Sequence, residues 1–200
     1  PQTKKFRNYD ESDGLQSKQF KAGSYFKSKD GQLFFGGVNG LNSFYPDSIK
    51  DNPHLPTVLI TDLKIFNKPV PIGAYGRQPA DSLLKQHISQ TKEITLTYEY
   101  SVFSLDFVAL NFTQSEKNRY AYRLEPFEKE WNYVGSQRTA TYTNLDAGTY
   151  TFRVKASNND GLWNEKGASI KINILPPWWE TWWFRIIATA LFLSSGIIFY

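Results

Sequence analysis

The sequence predicts an all-β chain that closes with the start of a transmembrane helix, and three observations predict it. Short strand-like segments punctuated by Gly fill the first 52 residues. From Thr57 to Ile174, seven or eight further short strands follow at regular spacing, the signature of a two-sheet sandwich. After Ile174-Leu175-Pro176-Pro177 come Trp178, Trp179, Trp182 and Trp183, and no charge follows Arg185.

Composition limits the function classes. The 200 residues are 40% hydrophobic and 16% aromatic, enough for a real core. The net charge of +4 comes from 23 basic and 19 acidic residues that are interleaved, which describes a solvated surface and gives no support to nucleic-acid binding. With no cysteine, disulfides, thiolate catalysis, iron–sulfur clusters and cysteine-ligated zinc are excluded. A β-rich domain without disulfides beside a membrane segment leans towards a bacterial envelope protein. With Pro1 first and no initiator methionine, the expectation is an excised piece of a longer chain.

Within residues 1–53, Ala22 to Lys27, Gln32 to Gly36 and Leu41 to Tyr45 read as three strands. They are joined by turns at Ser28 to Gly31 and Val38 to Gly40, where Asp30-Gly31 and Asn39-Gly40 tolerate positive φ. Such a meander is one blade of a β-propeller lacking its outer strand, and it has nothing of its own to bury a face against. Pro46, Pro53 and Pro56 close this region.

Thr57 to Phe66 restarts a strand with partial alternation, and Asn67 to Lys92, rich in Gly, Pro and Ser, is a long excursion. Strands follow at Glu93 to Tyr98, Phe103 to Leu110, Arg119 to Leu124, Asn132 to Val134, Thr139 to Thr143, Thr149 to Ser157 and Ala168 to Ile174. Alternation is clearest where Tyr150, Phe152, Val154 and Ala156 face a core and Thr151, Arg153 and Lys155 face water. Leu145-Asp-Ala-Gly-Thr-Tyr150 has the form of a fibronectin type III corner, in which the Tyr hydroxyl bonds to upstream backbone.

Residues 178–200 form the membrane-interface segment. Trp178, Trp179, Trp182, Trp183 and Arg185 suit a boundary that is apolar on one side and wet on the other. The fifteen residues from Ile186 to Tyr200 span roughly 22 Å, short of a hydrocarbon core of ~30 Å, so the run is the first part of a transmembrane helix, truncated within it.

Two resemblances follow from these motifs. Tyr9-Asp-Glu-Ser-Asp-Gly-Leu15 with Lys29-Asp-Gly-Gln-Leu-Phe-Phe-Gly-Gly-Val-Asn-Gly-Leu-Asn42 resembles the last repeat of the two-component regulator propeller family, which makes Phe6 to Tyr9 the outer strand of a preceding blade. The order Tyr120-Ala-Tyr-Arg-Leu-Glu-Pro-Phe-Glu-Lys-Glu-Trp131, Arg138 to Asn158, Gly161-Leu-Trp163 and Leu175-Pro-Pro-Trp-Trp179 resembles the triple-tyrosine domain of sensor histidine kinases in hybrid two-component systems of Bacteroidetes. Pro126 stands where that pattern has Gly. The resemblance implies a fibronectin III or immunoglobulin-like sandwich over residues 56–176 and a periplasmic place above the inner membrane. It implies further a homodimer and an oligosaccharide ligand held mainly by other propeller blades. The alternative is a membrane-anchored carbohydrate-binding or adhesion module.

No catalytic, cofactor-binding or metal-binding residue is expected in this segment. His54 and His87 lie in irregular stretches, and Asp10, Glu11 and Asp13 lack the alternating ligands of a calcium loop. Gly36-Gly-Val-Asn-Gly40 lacks the following Lys and helix of a phosphate cradle, and Glu125, Glu128 and Glu130 with Lys129 read as a charged hairpin tip. Tyr120, Tyr122, Trp131, Tyr142, Tyr150 and Trp163 are expected mostly in the core, with Tyr98 or Tyr100 as the exposed exception. Tyr120, Tyr122, Trp131, Tyr142, Tyr150, Pro176 and Pro177 are the candidate structural and transmission residues, since two prolines stiffen the exit to the helix.

Overall fold

A computed structural model describes residues 8–73 and 83–198, with side chains described as far as Leu191. The chain divides into two units, residues 1–52 and 53–200.

The first unit holds strands β1 (Phe20–Lys27), β2 (Leu33–Gly37) and β3 (Gly40–Phe44), an antiparallel sheet in the order β1-β2-β3. Of the two turn dipeptides only the glycines take positive φ, Gly31 at 92° and Gly40 at 133°. Phe20, Phe35 and Phe44 pack ring on ring at 6.2 and 5.9 Å. No residue of the three strands is buried, and Tyr25 is 75% exposed, as a lone meander must be. Most of the Phe6 to Tyr9 strand expectation falls outside the described residues, and Asn8 to Asp10 is irregular.

The second unit contains β4 (Thr57–Ile65), β5 (Lys68–Pro69), β6 (Glu93–Thr97), β7 (Val102–Leu110), β8 (Arg119–Glu125), β9 (Asn132–Gly135), β10 (Thr139–Thr143), β11 (Gly148–Ser157) and β12 (Trp163–Leu175). They form two sheets, β10-β7-β4-β5 and β6-β12-β11-β8-β9. All pairs are antiparallel except β6 with β12.

Period-two patterning makes the core. Phe103, Leu105, Phe107 and Ala109 on β7 and Ile170, Ile172 and Ile174 on β12 are buried members of one apolar cluster fed by both sheets. On β4 a bulge between Ile60 and Asp62 shifts the inward set from Val58 and Ile60 to Leu63 and Ile65, which is why alternation there is only partial. Phe107 joins the sheets through ring contacts with Tyr120 (5.6 Å), Tyr122 (5.9 Å) and Phe152 (6.1 Å).

The excursion after Ile65 is more ordered than its composition suggests. Phe66 and Asn67 both take positive φ (50° and 62°) and close a two-residue hairpin that pairs Ile65 with Lys68. Further on, Leu84 and Ile88 enter the core. Residues 74–82 of that stretch lie outside the described set.

Helix α1 (Trp182–Ile198) has 17 residues, about 25 Å of length. Among the described residues no helix is long and apolar enough to cross a membrane.

Candidate functional site

The place where chemistry and topology converge is the exit from β12. The parallel pairing of β6 with β12 runs to Thr97 opposite Leu175, so the last sheet contact is made one residue before Pro176. Pro176 is exposed and Pro177 is buried. A 3-10 turn at Trp178–Glu180 follows, capped by Thr181, whose backbone N–H donates to the Trp178 carbonyl at 3.3 Å. Trp179 meets Tyr98 edge to face, with centroids 5.0 Å apart and planes at 74°. The strand-to-helix path is therefore gripped by a ladder, a buried proline and an aromatic clasp in succession.

Beyond the clasp the rings pack on one another. Trp178 touches Trp179 at 5.5 Å and Phe184 at 4.8 Å, and Trp183 touches Phe184 at 6.1 Å. Trp182 is 75% exposed, and Ile186 and Leu191 are exposed as well. The Arg185 backbone N–H donates to the Thr181 carbonyl at 3.2 Å and so joins the turn to α1.

The tyrosines act inside the domain. Tyr150 donates its hydroxyl to the Asp146 carbonyl at 3.0 Å, the upstream backbone bond that the corner motif requires. Tyr120 is fully buried, and its oxygen accepts from the Ala109 backbone N–H at 3.2 Å. Tyr142 donates to Glu128 at 3.0 Å and packs on Phe103, Tyr122 and Phe152. Burial, and then the Glu128 charge, push the Tyr142 and Tyr122 hydroxyls above the usual tyrosine range. Burial also raises Tyr150, with Asp146 adding to it.

Four expectations need correction. Glu128 is no solvated tip: its carboxylate accepts from the Leu124 backbone N–H and the Asn132 amide, each at 2.6 Å, besides Tyr142. Its neighbour Glu125 is also engaged, with Arg123 at 2.5 Å and Arg153 at 3.2 Å. Trp131 and Trp163 are not core residues. They lie on the outer face of the five-stranded sheet with Tyr133, and their rings surround Lys155 Nζ at 4.6, 5.3 and 5.5 Å respectively for Trp131, Trp163 and Tyr133. Lys155, expected in water, is thereby 6% exposed, with Glu165 at 2.8 Å. Burial works against its charge, but Glu165 and Tyr133 outweigh that and hold the ammonium above its ordinary value. Arg123 covers the Trp131 ring at 4.8 Å.

The remaining candidates are structural. Asp10 and Asp13 form a reciprocal cap around the turn Glu11–Asp13, and no cluster among the described residues could hold a metal ion. The exposed His87 caps the turn Ile88–Gln90, and the exposed His54 offers its carbonyl to the Asn158 amide. Tyr98 is half exposed at the clasp, whereas Tyr100 is packed against the core. The clasp and the Lys155 cage left no signal in the sequence beyond aromatic residue type, since both depend on which strands become neighbours.

These features define an all-β domain with a gripped strand-to-helix exit, and residues 111–175 match the Y_Y_Y domain family. Over those residues the chain is similar to the Y_Y_Y domain, and over most of its length it resembles extracellular portions of two-component sensor proteins. It is 40% identical over 196 residues to Histidine kinase P4 of Formosa agariphila, a match that covers 98% of this chain and 14% of that protein. The crystal structure of the extracellular domain of the hybrid two component system BT3049 from B. thetaiotaomicron matches with a TM-score of 0.65 and 31% identity, over 84% of this chain and 22% of that one. The extracellular domain of BT4673 from the same organism matches with a TM-score of 0.54 and 26% identity, over 77% of this chain and 20% of that one. The chain spans less than a quarter of the length of each of these relatives.

Proposed function

We propose that this chain is the membrane-proximal part of the sensor region of a two-component histidine kinase and relays a ligand-driven rearrangement to a transmembrane helix. Residues 1–53 are the closing blade of a β-propeller, 56–176 a fibronectin-like β-sandwich, and 178–200 the interface segment and first part of the membrane helix. The region is periplasmic, anchored in the inner membrane of a bacterium, and works as a homodimer. Its ligand is an oligosaccharide held mainly by other blades, and catalysis belongs to the kinase part of the protein.

The observation that carries the reading is the gripped exit of β12. A strand locked in the sheet, a buried Pro177 and Trp179 seated on Tyr98 leave little freedom between domain and helix. Two prolines fix φ where a Gly-Ser link would not. The likeness to extracellular domains of two-component systems supports the same reading. An adhesion or carbohydrate-binding role would need ring faces open to solvent. Trp131 and Trp163 instead turn theirs to Lys155.

The test replaces Pro176-Pro177 by Gly-Gly in the full-length protein. Ligand affinity is expected to stay the same while ligand-dependent autophosphorylation is lost. Unchanged autophosphorylation would overturn the relay.

A further inference from the structure

The end of the sandwich from which α1 leaves is rimmed with aromatic side chains. Strand register brings its connections together: Ile65 pairs with Phe103 and Val102 with Thr143 in one sheet, and Thr97 pairs with Leu175 and Gly148 with Ile174 in the other. The turn after β8 falls at the same end, because Glu125 pairs with Thr151 near the start of β11. Two of these turns hold a phenylalanine outside the core. Phe66, between β4 and β5, is 51% exposed, and Phe127, between β8 and β9, is 60% exposed while meeting Tyr142 at 6.4 Å. Phe66 is held at φ 50°, a left-handed conformation unfavourable for a bulky residue, and with half its surface in water the ring recovers little of that cost by burial.

Three observations connect this rim to a lipid surface. Tyr98, Leu175, Trp178 and Trp182 are exposed around it, and Trp179 sits on Tyr98, so the tryptophan segment and the rim are continuous. α1 starts seven residues after Leu175, a separation of at most about 25 Å, which keeps the rim close to wherever the helix enters a bilayer. Exposed Lys68 and Lys129 beside the two phenylalanines are answered by exposed Glu99, Glu130 and Asp146. Among the described residues of these loops positive charge is therefore not in excess, and the attraction is aromatic rather than electrostatic. We infer that Phe66 and Phe127 enter the interfacial layer of the bilayer, so that the sandwich rests on the membrane by its loop tips as well as through the exit of β12. The partner is a zwitterionic phospholipid surface, whose boundary suits rings that are apolar on one side and wet on the other. This inference rests on the reading of α1 as the start of a membrane helix, and it adds a second contact that the helix does not require.

The test places the 200-residue chain, which has no cysteine, in vesicles of phosphatidylcholine and phosphatidylethanolamine with single nitroxide labels. Labels at Lys68→Cys and Lys129→Cys read the rim, and one at Ala188→Cys reads α1. A label at Thr113→Cys reads the opposite end, where Thr57 pairs with Leu110 and Phe112 is exposed. Collisions with oxygen, which concentrates in lipid, and with a water-soluble nickel chelate report depth. Relative to Thr113→Cys, the rim labels are expected to gain oxygen collisions and lose nickel collisions, in low and high salt alike. Phe66→Asn suits the left-handed turn and so keeps the fold. Combined with Phe127→Ser, it should return nickel access to both rim labels while Ala188→Cys stays in lipid. Rim labels as open to nickel as Thr113→Cys, with Ala188→Cys in lipid, would overturn the rim contact and leave the helix reading standing. Ala188→Cys open to nickel would overturn that reading and this inference with it. Rim labels shielded from both probes would put protein on the rim in place of lipid and equally overturn the inference, as would shielding that the double variant leaves unchanged.

Discussion

Replacing Tyr142 by Phe removes one oxygen from the core and keeps the ring that packs on Phe103, Tyr122 and Phe152 at 5.7, 6.3 and 6.3 Å. At neutral pH the loss is the hydrogen bond to Glu128, a bond to a charged group worth about 1.5–3 kcal/mol. Glu128 keeps its bonds from Leu124 and Asn132, so no buried acceptor is stranded and the lower end, about 1.5 kcal/mol, applies. In alkali the balance reverses. Burial and the Glu128 charge hold the folded Tyr142 hydroxyl above its ordinary value of 10.0, so the native state keeps a proton that the unfolded chain gives up. The stability from this group is fully present below pH 10 and is lost as the pH rises further, at about 1.4 kcal/mol per pH unit. The phenylalanine variant lacks that dependence, while Tyr122 and Tyr150 are common to both proteins and cancel. The two stability curves therefore converge and cross near pH 11. Urea unfolding followed by circular dichroism at pH 7, 9, 10, 11 and 11.5 measures this. A difference that stays constant from pH 7 to 11.5 would refute the claim that the fold holds Tyr142 neutral.

Two further substitutions test packing on the sheets. Gly167 lies at φ 55° and a Cβ there would stand 2.0 Å from the Val154 carbonyl oxygen, so Gly167→Ala should cost about 3 kcal/mol or more, whereas Gly161→Ala, at φ 82° in open space, should cost only about 1–2 kcal/mol. Equal midpoints in urea for the two variants would contradict the close approach of β11 and β12. Lys155→Met should lose about 1 kcal/mol of cation–π attraction, and Glu165→Ala, which leaves an ammonium only 6% exposed without its carboxylate, should cost about 1–3 kcal/mol. Thermal melts in which Glu165→Ala is the milder change would mean that the rings, and not the ion pair, hold Lys155.

Much of this architecture is legible from local patterning, because strands with one wet face alternate visibly. Thr139–Thr143 is a strand as its residues suggest, and Tyr150 makes its bond to Asp146 because the corner motif is local in sequence. What escaped depends on partners distant in the chain. Lys155 reads as a solvated position on an alternating strand, but Trp131 from β9's approach and Trp163 from the start of β12 fold over it. The hairpin at Phe66-Asn67 was hidden because Phe is a poor candidate for positive φ. The strand expected at Ala168 to Ile174 begins at Trp163, since Asn164 turns its amide to the Pro56 carbonyl and the polar stretch around Gly167 pairs across a bulge. At the exit of β12 the tryptophans and prolines were conspicuous, and the part missed was Tyr98, 81 positions before the Trp179 it receives.

The central claim is that motion of the sandwich reaches α1 through a stiff exit, and the most direct measurement is a distance. This stretch has no cysteine of its own, so Glu180→Cys, at an exposed site between Trp179 and α1, gives a spin-label position for electron–electron resonance in the full-length protein. On the proposed reading of a homodimer with an oligosaccharide ligand, adding the ligand that activates the kinase should shift the distance between the two labels by about 2 Å or more, together with a change in autophosphorylation. An unchanged distance distribution accompanied by a full kinase response would contradict the account.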